Sequence, residues 1–435
     1  MLTGRKRVRK KIRYLWADDF FRHSSITFIS SQLAGVLNLL FYMVIIRLLT
    51  VEDYGVFNSL VAVTLYFGQI SSALQPVMAR FLAVEIVRGR VRAAAGIFKR
   101  VGRDLGLVSL AILAGFVLFA GRFAAWQKID DASLLRLVGL IVAGHLIAFL
   151  FSAFLQGAQL FNQFALVNVL YALVKFAAGV GLVALGMGAG GALGGFLLAP
   201  VLLIIVGAGC IRAYYRQQPV CEDETAPGVG EIYLYIIPTS LALLSFAVLT
   251  NIDVTLVKAL FTPRQAGFYS SAQLVGKIIL YLSYPLSIVV FPKAASLNEL
   301  KTSSIHLLNR GFKLGLILCG SATAICWAAP ELVSRVLIGS ADAEVVSLVG
   351  LFALAMTFYS LLWLVVSYNL SIRSTRFIKY LALAAVAQAA AIHLYHPSLT
   401  AVLFILNSFA AISLIGTLFC TPGFRFHVTH KCNAI

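Results

Sequence analysis

Between residues 24 and 420 the chain is written as long apolar runs separated by short polar breaks, and most of those breaks carry Lys or Arg. An α-helix needs about 20 apolar residues to cross a hydrocarbon core about 30 Å thick. Twelve runs approach that length, near 24–48, 56–83, 105–121, 133–155, 164–186, 191–211, 232–258, 267–291, 311–328, 346–368, 378–393 and 398–420, the ninth and eleventh being short. Only 12% of the residues are charged and 60% are hydrophobic, whereas a soluble globular chain carries about 25% charged residues and roughly 45–50% apolar ones. The fold class that follows is an all-α polytopic membrane protein with about 12 transmembrane helices.

The net charge of +18 does not point to nucleic acid, because the bases lie in short loops between apolar runs. With the N-terminus placed inside, the inner loops and both tails hold 25 of the 35 Lys and Arg. That asymmetry obeys the positive-inside rule and makes both termini cytoplasmic. The N-terminal "MLTGRKRVRKKIRYLWADDFFRHSS" is basic, then polar, with no short apolar core and small-residue cleavage site. It reads as an anchor on anionic headgroups rather than a cleaved signal peptide. The six cysteines are scattered without a CxxC pair, so neither a disulfide framework nor a zinc site is indicated.

The longest polar break in mid-chain, 212–230, separates six runs from six. The expected organisation is a cytoplasmic basic tail (1–23), a first lobe (24–211), a linker (212–230), a second lobe (231–420) and a cytoplasmic tail (421–435). Both lobes start inside, so they are expected to run parallel about an axis along the membrane normal. A repeated segment supports two related lobes: "RLLTVEDYGVFNS" at 47–59 and "KALFTPRQAGFYSS" at 258–271. With Gly55 set on Gly267, an offset of 212, Thr50 meets Thr262, Phe57 meets Tyr269 and Ser59 meets Ser271. Glu52 and Asp53 find no acid at Arg264 and Gln265.

The basic tail, the first run ending "RLLTVEDYGVF", the mid-chain "NIDVTLVKALFTPRQAGFYSSAQLV" and the later "SIVVFPKAASL" together carry a resemblance. The chain resembles the polysaccharide transporters of the multidrug/oligosaccharidyl-lipid/polysaccharide exporter superfamily, over residues 24–300 above all. The resemblance implies two lobes around a central cavity, alternating access, and flipping of polyprenyl-pyrophosphate-linked sugar repeat units across a bacterial inner membrane. It implies a lipid-linked oligosaccharide and membrane lipids as partners, a polysaccharide polymerase as a further one, no cofactor and no enzymatic activity.

A charge at the bilayer centre costs about 2.5–3.5 kcal/mol on insertion scales, so each one calls for a reason. His145 and Lys175 lie mid-run in the fourth and fifth runs, eleven and twelve residues from the loop at 156–163. At about 1.5 Å per residue they share a depth. Asp253, the only carboxylate inside a run, and Lys277 lie eight and eleven residues from the loop at 261–266. In the functional reading His145, Lys175 and Lys277 offer positive charge to a diphosphate, with Asp253 holding Lys277 or binding a coupling ion. In the structural reading Asp253 and Lys277 form a buried pair and His145 is a packing histidine. Arg47, at the end of the first run, belongs to the repeated motif and either snorkels to headgroups or joins the cationic set.

Two other functions compete. A drug or organic-cation antiporter needs intramembrane acids, and Asp253 stands against two lysines. A membrane glycosyltransferase or polymerase needs a large catalytic loop, and the longest outer stretch, about 329–345, is short. "GMGAGGALGG" at 186–195 has the glycines of a phosphate loop but neither its Lys-Ser/Thr nor a preceding strand, and reads as a turn with close helix packing.

Overall fold

The computed structural model describes residues 19–216, 230–287, 294, 304–372 and 374–422. The basic tail through residue 18, residues 217–229 of the expected linker, "PKAASLNELK" apart from Ala294, and the C-terminal tail from 423 on lie outside the described residues.

The described chain is helical, without a strand. The first half contains α1 (Asp19–Leu48), α2 (Val51–Val87), α3 (Val91–Trp126), α4 (Ser133–Gly157), α5 (Phe161–Ala184) and α6 (Gly188–Arg216). The second contains α7 (Gly230–Leu260), α8 (Pro263–Leu282), α9 (Ile305–Ala328), the short α10 (Pro330–Leu337), α11 (Ala343–Ser371), α12 (Arg376–Leu394) and α13 (Leu399–Cys420). Each apolar run falls on one of the twelve long helices. Eleven of these are long and apolar enough to cross a membrane, α8 being the exception. Helix α8 is diluted by Gln265, Ser270, Ser271, Gln273 and Lys277, yet most of it is buried. It is a polar helix hidden inside protein, which is where membrane proteins put polar side chains.

The chain divides into two compact units, 1–240 and 241–435. In the first, α4 packs against α2, α3 and α6, and α5 packs against α1 and α6. In the second, α11 packs against α8, α9 and α13, and α12 against α13. Numbering the long helices one to six within each half, the pairs two–four, three–four, four–six and five–six recur, so the internal repeat extends from sequence to packing. Helices α1 and α7 end at Leu48 and Leu260, and α2 and α8 begin at Val51 and Pro263, again an offset of 212.

The repeated segment is a helix cap. Thr50 Oγ1 accepts from the Asp53 backbone N–H at 3.1 Å and donates to Asp53 Oδ2 at 2.9 Å. Thr262 Oγ1 accepts from the Gln265 N–H at 3.3 Å and donates to Gln265 Oε1 at 2.9 Å; Gln265 Oε1 also accepts from the Thr262 N–H at 3.2 Å. Such caps occupy donors that the first helical turn leaves open. Asp53 and Gln265, unlike in charge, therefore do the same job.

Helix α2 runs beyond its apolar core and buries Glu85, a carboxylate the run boundaries had left in a loop. Arg90 neutralises it at 2.8 Å, with Arg88 at 3.7 Å. The glycine-rich stretch is a turn and a seam. Gly186 and Gly188 have φ of +86° and +50°, and a Cβ on Gly191 would lie 2.8 Å from the backbone of Leu182. Gly195 meets the Lys175 carbonyl and Gly179 in the same way. Helix α6 thus lies on α5 with backbone against backbone.

Candidate functional site

In the first unit Lys175 is 5% exposed in the middle of α5. Its Nζ lies 4.5 Å from the ring centroid of Phe196, 4.9 Å from Phe41 and 5.4 Å from Tyr42. Phe41 and Phe196 are themselves 5.8 Å apart, edge to face, and Phe57 packs against both. An ammonium within about 6 Å of a ring centroid is attracted by the ring's negative face, by about 0.5–2 kcal/mol per ring. No oxygen accepts a hydrogen bond from Lys175 among the described residues. The seam of Gly179, Gly191 and Gly195 explains the arrangement: it brings α6 close enough to place Phe196 over the ammonium.

His145 sits one helix away. Its Nδ1 lies 2.8 Å from the Ile141 carbonyl oxygen, and its Nε2 lies 2.5 Å from the Tyr171 hydroxyl. A carbonyl only accepts, so Nδ1 carries a proton; in the neutral ring Nε2 then accepts from Tyr171. Tyr171 stands one turn before Lys175 on α5, so His145 and Lys175 adjoin the same stretch of helix, as their shared depth implies. Arg47 is exposed in the last turn of α1, about 9 Å along the axis from Phe41.

In the second unit Asp253 is fully buried on α7. Its Oδ2 accepts from the Tyr269 hydroxyl of α8 at 2.9 Å, and its Oδ1 has no hydrogen-bond partner. Lys277 of α8 does not reach it. Lys277 Nζ donates to the Thr250 carbonyl at 2.9 Å and to Asn251 Oδ1 at 2.7 Å, one turn earlier on α7. Asn251 is held in turn by its amide, which donates to the Ala247 carbonyl at 2.8 Å and to Thr250 Oγ1 at 3.0 Å. Lys277 is thus bound to neutral oxygens and keeps its positive charge uncompensated. Nearby, the Tyr359 hydroxyl donates to Gln388 Oε1 at 2.7 Å, and Gln388 Nε2 donates to the Leu249 carbonyl at 2.9 Å, which ties α11, α12 and α7 together.

Sequence reasoning found the charged groups and missed their partners. Aromatic residues in an apolar run look like any lipid-facing side chain, so Phe41, Tyr42 and Phe196 gave no signal as a cage. Tyr171 was findable, because it stands four residues before Lys175 on the same face. No group of three or more His, Cys, Asp or Glu among the described residues is placed to hold a metal ion.

These features define a class: a multi-pass helical membrane protein of two repeated units with charged centres buried in each. Solved structures of this fold are transporters. The chain matches an inward-facing multidrug resistance MATE family transporter of the MOP superfamily, with a TM-score of 0.68 and 14% identity over 89% of this chain and 93% of that one. It matches the lipid II flippase MurJ in an inward closed conformation, with a TM-score of 0.69 and 12% identity over 90% and 86%. A MOP superfamily transporter from Pyrococcus furiosus, described by the reverse polarity of its binding pocket, matches with a TM-score of 0.62 and 16% identity over 92% and 94%. No family model matches the chain, and no curated protein matches its sequence. At such identities the likeness establishes the fold.

Proposed function

We propose that this protein flips a polyprenyl-diphosphate-linked oligosaccharide across a bacterial inner membrane, for surface polysaccharide synthesis, by alternating access. The observation that carries the reading is the state of the two mid-membrane ammoniums. Lys175 is held by aromatic faces and Lys277 by neutral oxygens, and neither meets a carboxylate. Uncompensated positive charge inside a membrane suits an anionic cargo, since a diphosphate leaving water needs close cations. The likeness to a lipid II flippase agrees with a lipid-linked cargo.

In this reading Lys175 and Lys277 engage the diphosphate in turn, Arg47 attracts it near a membrane surface, and His145 positions α5 through Tyr171. The termini are cytoplasmic, and a polymerase uses the product on the far side. A second reading, an antiporter of drugs or organic cations, is favoured by the open Oδ1 of Asp253 and by the likeness to MATE transporters. Proteoliposomes decide between the two. The flippase reading expects a polyprenyl-diphosphate disaccharide to cross in the wild type and to stop crossing in Lys175→Met. Organic-cation uptake with no lipid crossing overturns it.

A further inference from the structure

Lys277 leads to a second feature of its unit. One turn on along α8 stands Tyr281, which is 47% exposed. Its ring meets Tyr284 edge-on at 5.1 Å. Tyr284 stacks on Trp363 of α11 at 4.9 Å with an interplanar angle of 28°, and Trp363 leans on Phe246 of α7 at 5.1 Å. The cluster is one continuous aromatic surface, braced from behind and open at Tyr281.

Its polar atoms have no partners within the protein. Trp363 Nε1–H is buried without an acceptor. The hydroxyls of Tyr281 and Tyr284 make no hydrogen bond among the described residues. Lys277 has three N–H donors and uses two. Tyr and Trp placed away from bulk water normally find a hydrogen-bond partner for their polar tips. Leaving several such groups open inside a membrane protein costs free energy, and a ligand rich in hydroxyls would recover it.

We propose that Tyr281, Tyr284 and Trp363 form a carbohydrate-stacking platform beside Lys277. The C–H face of a pyranose ring lies on the aromatic surface, its hydroxyls meet the open tyrosine and tryptophan donors, and the diphosphate to which it is linked meets the ammonium. The proposal rests on the flippase reading and adds to it: the site recognises the saccharide, as well as the charge of its carrier. Most lipid carriers in a membrane bear no sugar, so a platform of this kind makes the protein move loaded carriers and leave empty ones.

The test uses the full chain in lipid nanodiscs and two probes: bare polyprenyl diphosphate and the same lipid bearing a disaccharide. Native mass spectrometry reads binding of each. The wild type is expected to prefer the glycosylated lipid by about tenfold. Tyr281→Ala should bring that preference to within about twofold while leaving affinity for the bare lipid unchanged. Tyr281→Phe, which keeps the ring, should retain part of the preference and guards against a fold defect. Lys277→Met should weaken both lipids alike. A preference untouched by Tyr281→Ala, or equal binding of both lipids, overturns the platform alone and leaves these rings as interfacial aromatics. Binding of neither lipid overturns the flippase reading together with it.

Discussion

Phe41 and Asp253 stand at the same place in two copies of one scaffold. Each lies seven residues before the end of the first helix of its half, and the offset between them is the 212 that relates the two caps. Their neighbours correspond as well: Phe57 packs on Phe41 with centroids 6.1 Å apart, and Tyr269, 212 residues later, donates to Asp253 at 2.9 Å. One unit builds a negative centre from a carboxylate and a phenol. The other builds a positive one from an ammonium and phenyl faces. The repeat keeps the crossing of the first two helices and changes what is buried there. Helix pairing depends on the size and spacing of side chains, whereas charge depends on single atoms at the crossing.

The sharpest way to break this comparison is to remove the ammonium. Lys175→Met should abolish lipid transport, by about 100-fold or more in proteoliposomes, which is about 2.8 kcal/mol at 1.4 kcal/mol per tenfold. Its folding should be unharmed, since replacing a buried charge with an apolar residue of like volume is often neutral or stabilising. Normal flux would remove Lys175 from the mechanism. Lys277→Met should cost both flux and stability, because Asn251 Oδ1 is left without its donor, and an unsatisfied buried group costs about 1–3 kcal/mol. A thermal-unfolding measurement that finds the two lysine variants equally stable would contradict the different ways in which they are held.

The second unit's hydroxyl is the next target. Tyr269→Phe converts the crossing to the first unit's chemistry and leaves both oxygens of Asp253 unpaired, with an expected loss of about 1–3 kcal/mol of stability. The double variant Tyr269→Phe/Asp253→Leu should recover most of that loss, and a double-mutant cycle reads the coupling. Phe196→Leu should weaken the hold on Lys175 by about 0.5–2 kcal/mol, the range of one cation–π contact. The smallest effect is symmetric. Thr50→Ala and Thr262→Ala should each cost about 1 kcal/mol as N-cap losses, and a marked inequality between them would argue that the two hairpins are not equivalent.

The fold was legible because twenty apolar residues in a row leave a backbone few choices. Eleven helices declare themselves by composition; α8 declares itself through its repeat, since Gly267 and the Thr262 cap match the start of α2. Depth was legible too, because rise per residue is fixed, and it placed His145 near Lys175 correctly. Direction around the helix was harder. Asp253 and Lys277 lie within one turn of the same level, yet Lys277 points to Thr250 and Asn251, so depth alone suggested a pair that the geometry does not make. The aromatic cage was illegible because nothing in a phenylalanine's identity states whether it faces lipid or a cation.

The glycine seam between α5 and α6 has a mechanical consequence. Where backbone lies on backbone, a helix cannot slip by a fraction of a turn without steric collision, and the Lys175 carbonyl is one of the touching atoms. The root of this side chain is therefore fixed to α6, and Phe196, a neighbour of Gly195, is fixed with it. Only α1, which brings Phe41 and Tyr42, is free of that seam. If the ammonium is to be uncovered during a transport cycle, α1 is the part that lifts, as a cover moves from a stationary post.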